Sequence, residues 1–75
     1  MKYQVEVQNQ TIYVHSGVTG TTVARFTKRL AEFGLDGNYG GAPNLSLSDF
    51  SDKCVDLYDV NVLNHMNAVE VVRFS

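Results

Sequence analysis

Three side chains in this sequence are of types that bind metals or act as nucleophiles: His15, Cys54 and His65. They come from three distant segments, whereas the sequence of a zinc site usually contains closely spaced pairs of ligands. A single cysteine also excludes an internal disulfide and a cysteine-rich metal site. A Cys–His nucleophilic pair has no local signature here, and so short a chain offers little room for a catalytic pocket. We therefore expect Cys54 to be a small core residue, and we expect neither a metal nor a cofactor.

A segment with two glycines, Gly17 to Thr22, follows an apolar–polar alternating stretch. Free backbone amides at the start of a helix attract anions. The phosphate-binding P-loop has a longer spacing between its glycines and carries a lysine, and this segment has neither. We interpret it as a turn in which the glycines provide backbone freedom.

Charged residues form two groups that are candidates for binding a partner. The acidic group would form a stripe on a helix and consists of Asp49, Asp52, Asp56 and Asp59. The basic group consists of Arg25, Lys28 and Arg29. Each group is either a solvated face that keeps the domain soluble or a contact surface for a partner of opposite charge. Charge separation of this kind steers association more than it adds affinity.

Length and composition limit the elements that can position these side chains. The 75 residues, 44% hydrophobic and 19% charged, are typical of one small globular domain. A net charge of −2 argues against a nucleic-acid binder, which usually has a basic footprint. No apolar run approaches the roughly 18 residues of a membrane helix, and the N-terminus lacks the apolar core of a signal peptide. We expect a cytoplasmic protein with no membrane segment.

The N-terminal residues predict a β-hairpin. Residues 3–8 and 11–16 alternate apolar with polar side chains, and Asn9-Gln10 lies between them as a two-residue turn. Tyr13 and His15 then lie on the outer face, and we add them to the candidate contact residues because tyrosine is a common interface anchor. On the opposite face this register pairs apolar side chains, Val7 with Ile12 and Val5 with Val14.

After Gly20 the apolar spacing becomes that of a helix. Gly34 suits the left-handed position just beyond a helix end. We predict a helix over about residues 22–33 that packs across the valines and isoleucine of the hairpin. Its apolar stripe consists of Val23, Phe26, Leu30 and Phe33.

The second half of the chain is less regular. Glycine and proline predict a loop over Asp36 to Asn44, and alternating leucines predict a short edge strand at Leu45 to Leu47. The segment 48–59 fits both helix and strand, and we predict a helical turn near residues 49–54 followed by extended chain. Near-continuous apolarity predicts a final strand over Val69 to Phe74.

Two short motifs carry a resemblance to a known superfamily: Gly20-Thr21-Thr22-Val23, and Leu30-Ala31-Glu32-Phe33-Gly34-Leu35. With the predicted order of elements, residues 1–37 resemble the small sulfur carriers of the β-grasp, or ubiquitin-like, superfamily. The resemblance implies a ββαββ fold, in which one main helix covers one face of a mostly antiparallel or mixed sheet of about four strands. Those carriers act through a C-terminal Gly-Gly, and the last residues here are Val72-Arg73-Phe74-Ser75, so the adenylation and conjugation chemistry is not carried over.

These observations predict an α+β domain that is not an enzyme and that binds another protein as an inhibitor, adaptor or accessory subunit. Phage and mobile-element proteins that block a host enzyme are one setting for such a domain. It would be a monomer or a homodimer. Two alternatives stay open: a β-grasp carrier that engages an activating enzyme, and weak binding of nucleic acid or a nucleotide through the basic group.

Overall fold

Five antiparallel strands form one sheet, in which each strand pairs with the next along the chain. The structure is a computed structural model that describes residues 2–35 and 40–75. Two α-helices and a 3₁₀ helix follow the strands, so the expected α+β class is confirmed. The elements are β1 (Tyr3–Gln8), β2 (Thr11–Ser16), β3 (Thr22–Thr27), β4 (Leu30–Phe33), β5 (Gly41–Ala42), α1 (Leu47–Tyr58), the 3₁₀ helix (Val62–His65) and α2 (Ala68–Phe74).

The predicted N-terminal hairpin is confirmed with its register. Val7 pairs with Ile12 and Val5 with Val14, and the two-residue turn Asn9-Gln10 joins β1 to β2. Both turn residues have positive φ, 51° and 60°, as expected for the turn that matches the twist of a hairpin.

The helix predicted over residues 22–33 is wrong, because these residues form a second hairpin, β3 and β4. Alanine occupies some of the inward-facing positions of these strands: Ala24 lies two residues before Phe26, and Ala31 lies two residues before Phe33. Both alanines are fully buried and pair across the strands with these phenylalanines. The observed order is therefore five strands followed by helices, and the ββαββ order that the β-grasp resemblance implied is not found.

A β-bulge in β3 further obscured the strand pattern. Val14 pairs with Ala24 and His15 pairs with Thr22, so Val23 has no partner on β2. An extra residue of this kind shifts the alternation of a strand by one position. As a result, the consecutive residues Val23 and Ala24 are both buried.

The C-terminal half also differs from the prediction. No strand forms at 45–47, and α1 is longer than the expected turn. It begins after Ser46, whose side chain accepts from the amide of Asp49, and it ends at its C-cap Asp59 in a left-handed conformation. The strand expected at 69–74 is the helix α2, which begins with a capping box between Asn67 and Glu70. Part of the predicted loop, 36–39, lies outside the described residues, and Gly41–Ala42 forms β5.

The helices cover one face of the sheet, which we call the inner face. Phe50 of α1 is fully buried and lies between two sheet residues, 5.0 Å from Phe26 and 5.5 Å from Phe33 between ring centroids. Cys54 and Val62 are also fully buried in the same cluster. These contacts hold α1 and the 3₁₀ helix against the inner face.

The C-terminal end of α1 is fastened to the sheet by the hydroxyl of Tyr58. This hydroxyl donates to the carbonyl of Val23 and accepts from the amide of Gly34, both at 2.9 Å. Gly34 has a φ of 64°, so its predicted left-handed conformation is correct although it follows a strand and not a helix. The bridge joins β3 and the end of β4 to the helix that covers them.

Replacing Phe50 by alanine should lower the free energy of unfolding by about 3 to 5 kcal/mol, because it leaves a cavity between two buried rings. Urea denaturation followed by circular dichroism measures this loss. Leu57 lies on the same helix with 42% of its surface exposed, so L57A is the matched control. A similar loss in both variants would contradict the assigned core.

Replacing Gln10 or Arg29 by glycine should stabilise the protein. Both residues hold positive φ in two-residue turns, 60° and 65°, where a side chain is strained and glycine is not. The flexibility of glycine in the unfolded chain offsets part of this gain. We expect each substitution to raise the free energy of unfolding by about 0.5 to 1 kcal/mol. A loss of stability in urea denaturation would contradict these turns.

Candidate functional site

No described segment packs on the second face of the sheet, which we call the outer face. It carries the side chains that alternate with the buried ones, including Tyr13, His15 and Arg25. All three are of intermediate burial, in contrast to inner-face residues such as Ile12 and Val14, which are fully buried. The structure therefore brings three of the predicted contact residues together on one accessible surface.

His15 is held from both sides of its ring. Its Nε2 lies 2.9 Å from a carboxylate oxygen of Glu6, and its Nδ1 lies 3.0 Å from the hydroxyl of Thr22. The ring of Tyr13 stacks beside it with centroids 5.7 Å apart and planes at 11°. These contacts fix the orientation of an imidazole that is 23% exposed.

Arg25 is also fixed in place, by a carboxylate on the next strand. Arg25 and Glu32 are cross-strand partners, and the guanidinium Nε donates to Glu32 at 2.8 Å. Tyr13 is the cross-strand partner of Arg25 on the other side. The two pairings place Tyr13, Arg25 and Glu32 in one row across the outer face.

The other two basic residues lie at one end of the sheet. Lys28 and Arg29 form the turn between β3 and β4, with φ values of 50° and 65°. Together with Arg73 and Phe74 of α2 they line a surface cleft. Neither turn residue forms an ion pair with any carboxylate in the described part of the chain. Their charges are therefore available at this end of the sheet.

The predicted acidic group lies on the opposite side of the molecule. α1 turns Leu47, Phe50 and Cys54 toward the sheet, so its exposed carboxylates point away from it. Asp59 lies at the C-cap of the helix in a left-handed conformation, φ 56°. The structure thus places these carboxylates and Arg25 on opposite sides of the domain. The exposed acidic stripe consists of Asp49, Asp52 and Asp56.

The amides of the segment after β2 already have acceptors within the protein, and that of Gly17 donates to the carbonyl of Lys2. The hydroxyl of Ser16 accepts from the amides of Val18 and Thr19, both at 3.3 Å. Gly20 has a φ of 75° and its amide donates to the carbonyl of Ser16. A turn with its donors already satisfied fits the interpretation of Gly17 to Thr22 given above.

The structure does not bring together the three candidate metal ligands. Cys54 is in the core beneath the inner face, whereas His15 lies on the outer face, so the sheet separates them. Over residues 2–35 and 40–75, no group of three histidine, cysteine, aspartate or glutamate side chains is placed to hold a metal ion. Within the same residues, none of the helices has the length and apolar character needed to cross a membrane.

The sequence patterns did not identify three residues of the outer face: Glu6, Thr22 and Glu32. Glu6 was detectable, because the predicted hairpin register places it two positions from Gln4, the partner of His15, and therefore on the same face. Thr22 and Glu32 were assigned to a helix, and their roles depend on the pairing of β3 with β2 and β4.

Comparisons with protein-family models, with curated proteins and with solved structures find no match to this chain.

Cys54 should react only when the protein unfolds. Burial raises the pKa of its thiol from 9.0 to about 12, so the thiolate that reacts with alkylating reagents does not form at neutral pH. Between pH 9 and 12 the unfolded chain loses this proton and the folded chain keeps it, so stability falls by up to about 1.4 kcal/mol per pH unit. Alkylation rates and urea denaturation against pH measure both effects.

The variant C54A isolates the contribution of this thiol from every other effect of pH on stability. Wild type should lose more stability than C54A as the pH rises from 9 to 12. Equal losses, or rapid alkylation of the native protein at pH 8, would show that the thiol is accessible.

Proposed function

We propose that this chain is a non-enzymatic protein-binding module whose outer face, together with the Lys28-Arg29 turn, contacts a partner protein. The observation that supports the proposal best is the uncovered outer face, on which Tyr13, His15 and Arg25 lie together. Tyrosine and arginine are the residue types that most often dominate binding energy at protein interfaces.

The contact side chains are already ordered in the free protein. Glu6 and Thr22 hold His15, and Glu32 holds Arg25. Immobilising a flexible side chain at an interface costs about 0.5 to 1.5 kcal/mol. Side chains that are fixed before binding avoid much of this cost, so the arrangement suits recognition of one particular surface.

The charges favour a partner with an acidic rim around its contact surface. Lys28 and Arg29 lie at one end of the sheet, and neither forms an ion pair with a carboxylate of the described residues. The acidic stripe of α1 lies on the side of that helix that faces away from the sheet. An acidic partner is therefore attracted to the basic turn and repelled by the back of the domain. Opposed charges of this kind orient the encounter.

The test uses the protein as bait in a lysate of its source organism, followed by purification of the retained protein and calorimetric titration. We expect Y13A to weaken binding of that protein at least tenfold and R29G to weaken it about fivefold. Binding should also weaken as salt is raised, because the basic turn contributes through long-range charge.

Two control variants come from the same structure. Q10G relieves the same strain as R29G in the neighbouring turn without removing a charge, and reversal of Asp52 and Asp56 to lysine alters only the back of the domain. Both should change the dissociation constant less than twofold. Equal loss in R29G and Q10G, loss on reversing the α1 carboxylates, or no retained protein would each contradict the proposal.

A further inference from the structure

The strand β1 leaves one edge of the sheet unpaired. It pairs with β2 on one side, and no strand of the described residues pairs with its other side. With six residues it is long for an exposed edge, and Glu6 is its only charged residue. Natural sheets usually protect such edges with lysine, proline or a bulge, and β1 contains none of these. The opposite edge, β5, is a strand of two residues.

The hairpin turn determines which backbone groups of β1 face outward. In a two-residue turn the flanking residues Gln8 and Thr11 are hydrogen-bonded to each other. Antiparallel pairs alternate, so Gln4 and Glu6 also bond to β2, and the amides and carbonyls of Tyr3, Val5 and Val7 point away from it. The side chains of these three residues lie on the inner face and are only half-buried.

We propose that β1 pairs antiparallel with β1 of a second copy of this chain, with Val5 opposite Val5. In this register Tyr3 lies opposite Val7 of the other copy, so all three outward-facing residues find hydrogen-bonding partners. On the outer face Glu6 lies opposite Gln4, which is neutral. A register centred on Glu6 instead places two carboxylates face to face, which is unfavourable.

A second copy is the occupant favoured by the symmetry of the strand. The same three residues supply donors and acceptors on both sides, as an interface with a two-fold axis requires. The valines of the two copies meet on the inner face and extend the apolar layer that is half-buried in the monomer. Because β5 is short, pairing stops at two copies, and the outer faces join into one surface with two Tyr13 and Arg25 clusters.

Sedimentation analysis over about 10 µM to 1 mM protein tests this interface, a range suited to a weak complex. Wild type should approach twice the monomer mass of 8.3 kDa as concentration rises. Q4E places a carboxylate opposite Glu6 of the other copy and should raise the dissociation constant about tenfold, since two symmetric pairs are affected. Q4K changes the same exposed site to the opposite charge and should lower it.

V5P removes an amide that faces solvent in the monomer, and proline is tolerated at such edge positions. This variant should remain monomeric at every concentration. A monomeric wild type, an open-ended assembly, a dimer that V5P leaves intact, or equal effects of Q4E and Q4K would each overturn the proposal. If V5P fails to fold, the opposed effects of Q4E and Q4K decide the question.

Discussion

Burial of Phe50 between Phe26 and Phe33 is the contact on which this domain depends. The three rings join α1 to two neighbouring strands, β3 and β4. A domain of this size buries only about 60% of the surface of its unfolded chain, so few contacts share the stabilisation. The Tyr58 bridge then fixes the far end of the helix and thereby the angle at which it crosses the inner face.

Sequence patterns predicted the first hairpin in full and misassigned the second, for reasons that lie in particular residues. The first hairpin has valine and isoleucine at every inward position of its turn-proximal pairs, so its period of two is plain. In β3 and β4 the inward positions alternate alanine with phenylalanine, and alanine contributes little to a hydrophobic pattern although both alanines are fully buried. The bulge at Val23 shifts the alternation in β3, and the Lys28-Arg29 turn contains neither glycine nor asparagine. Neither the strand pattern nor the turn could therefore be recognised from the sequence. In α2 the valines suggested a strand, while the capping box of Asn67 and Glu70 indicated the helix that forms.

The candidate surface was partly predictable because charged residues can be recognised by their type even when the wrong secondary structure is assigned to them. Arg25, Lys28 and Arg29 were grouped as a basic patch on a helix, and in the hairpin Lys28 and Arg29 are exposed while Arg25 is half-buried. Their neighbours were not predictable, since a helix would place Arg25 and Glu32 two turns apart whereas the hairpin places them in direct contact. The side chains that hold a contact residue in place therefore depend on the tertiary pairing, even where the contact residue itself can be recognised.

The helices of this domain lie on one face of the sheet, and no described segment covers the other face. The two helices that follow β5 suffice to cover the inner face, and the outer face must then be stable in water. Hydrogen-bonded pairs such as His15 with Glu6 and Arg25 with Glu32 meet that requirement, and exposed pairs of this kind add only about 0 to 1 kcal/mol to stability. Shorter polar residues would satisfy it equally well. The large side chains on this face, a tyrosine, a histidine and an arginine held in fixed orientations, exceed what solubility requires, and this excess favours recognition as their role.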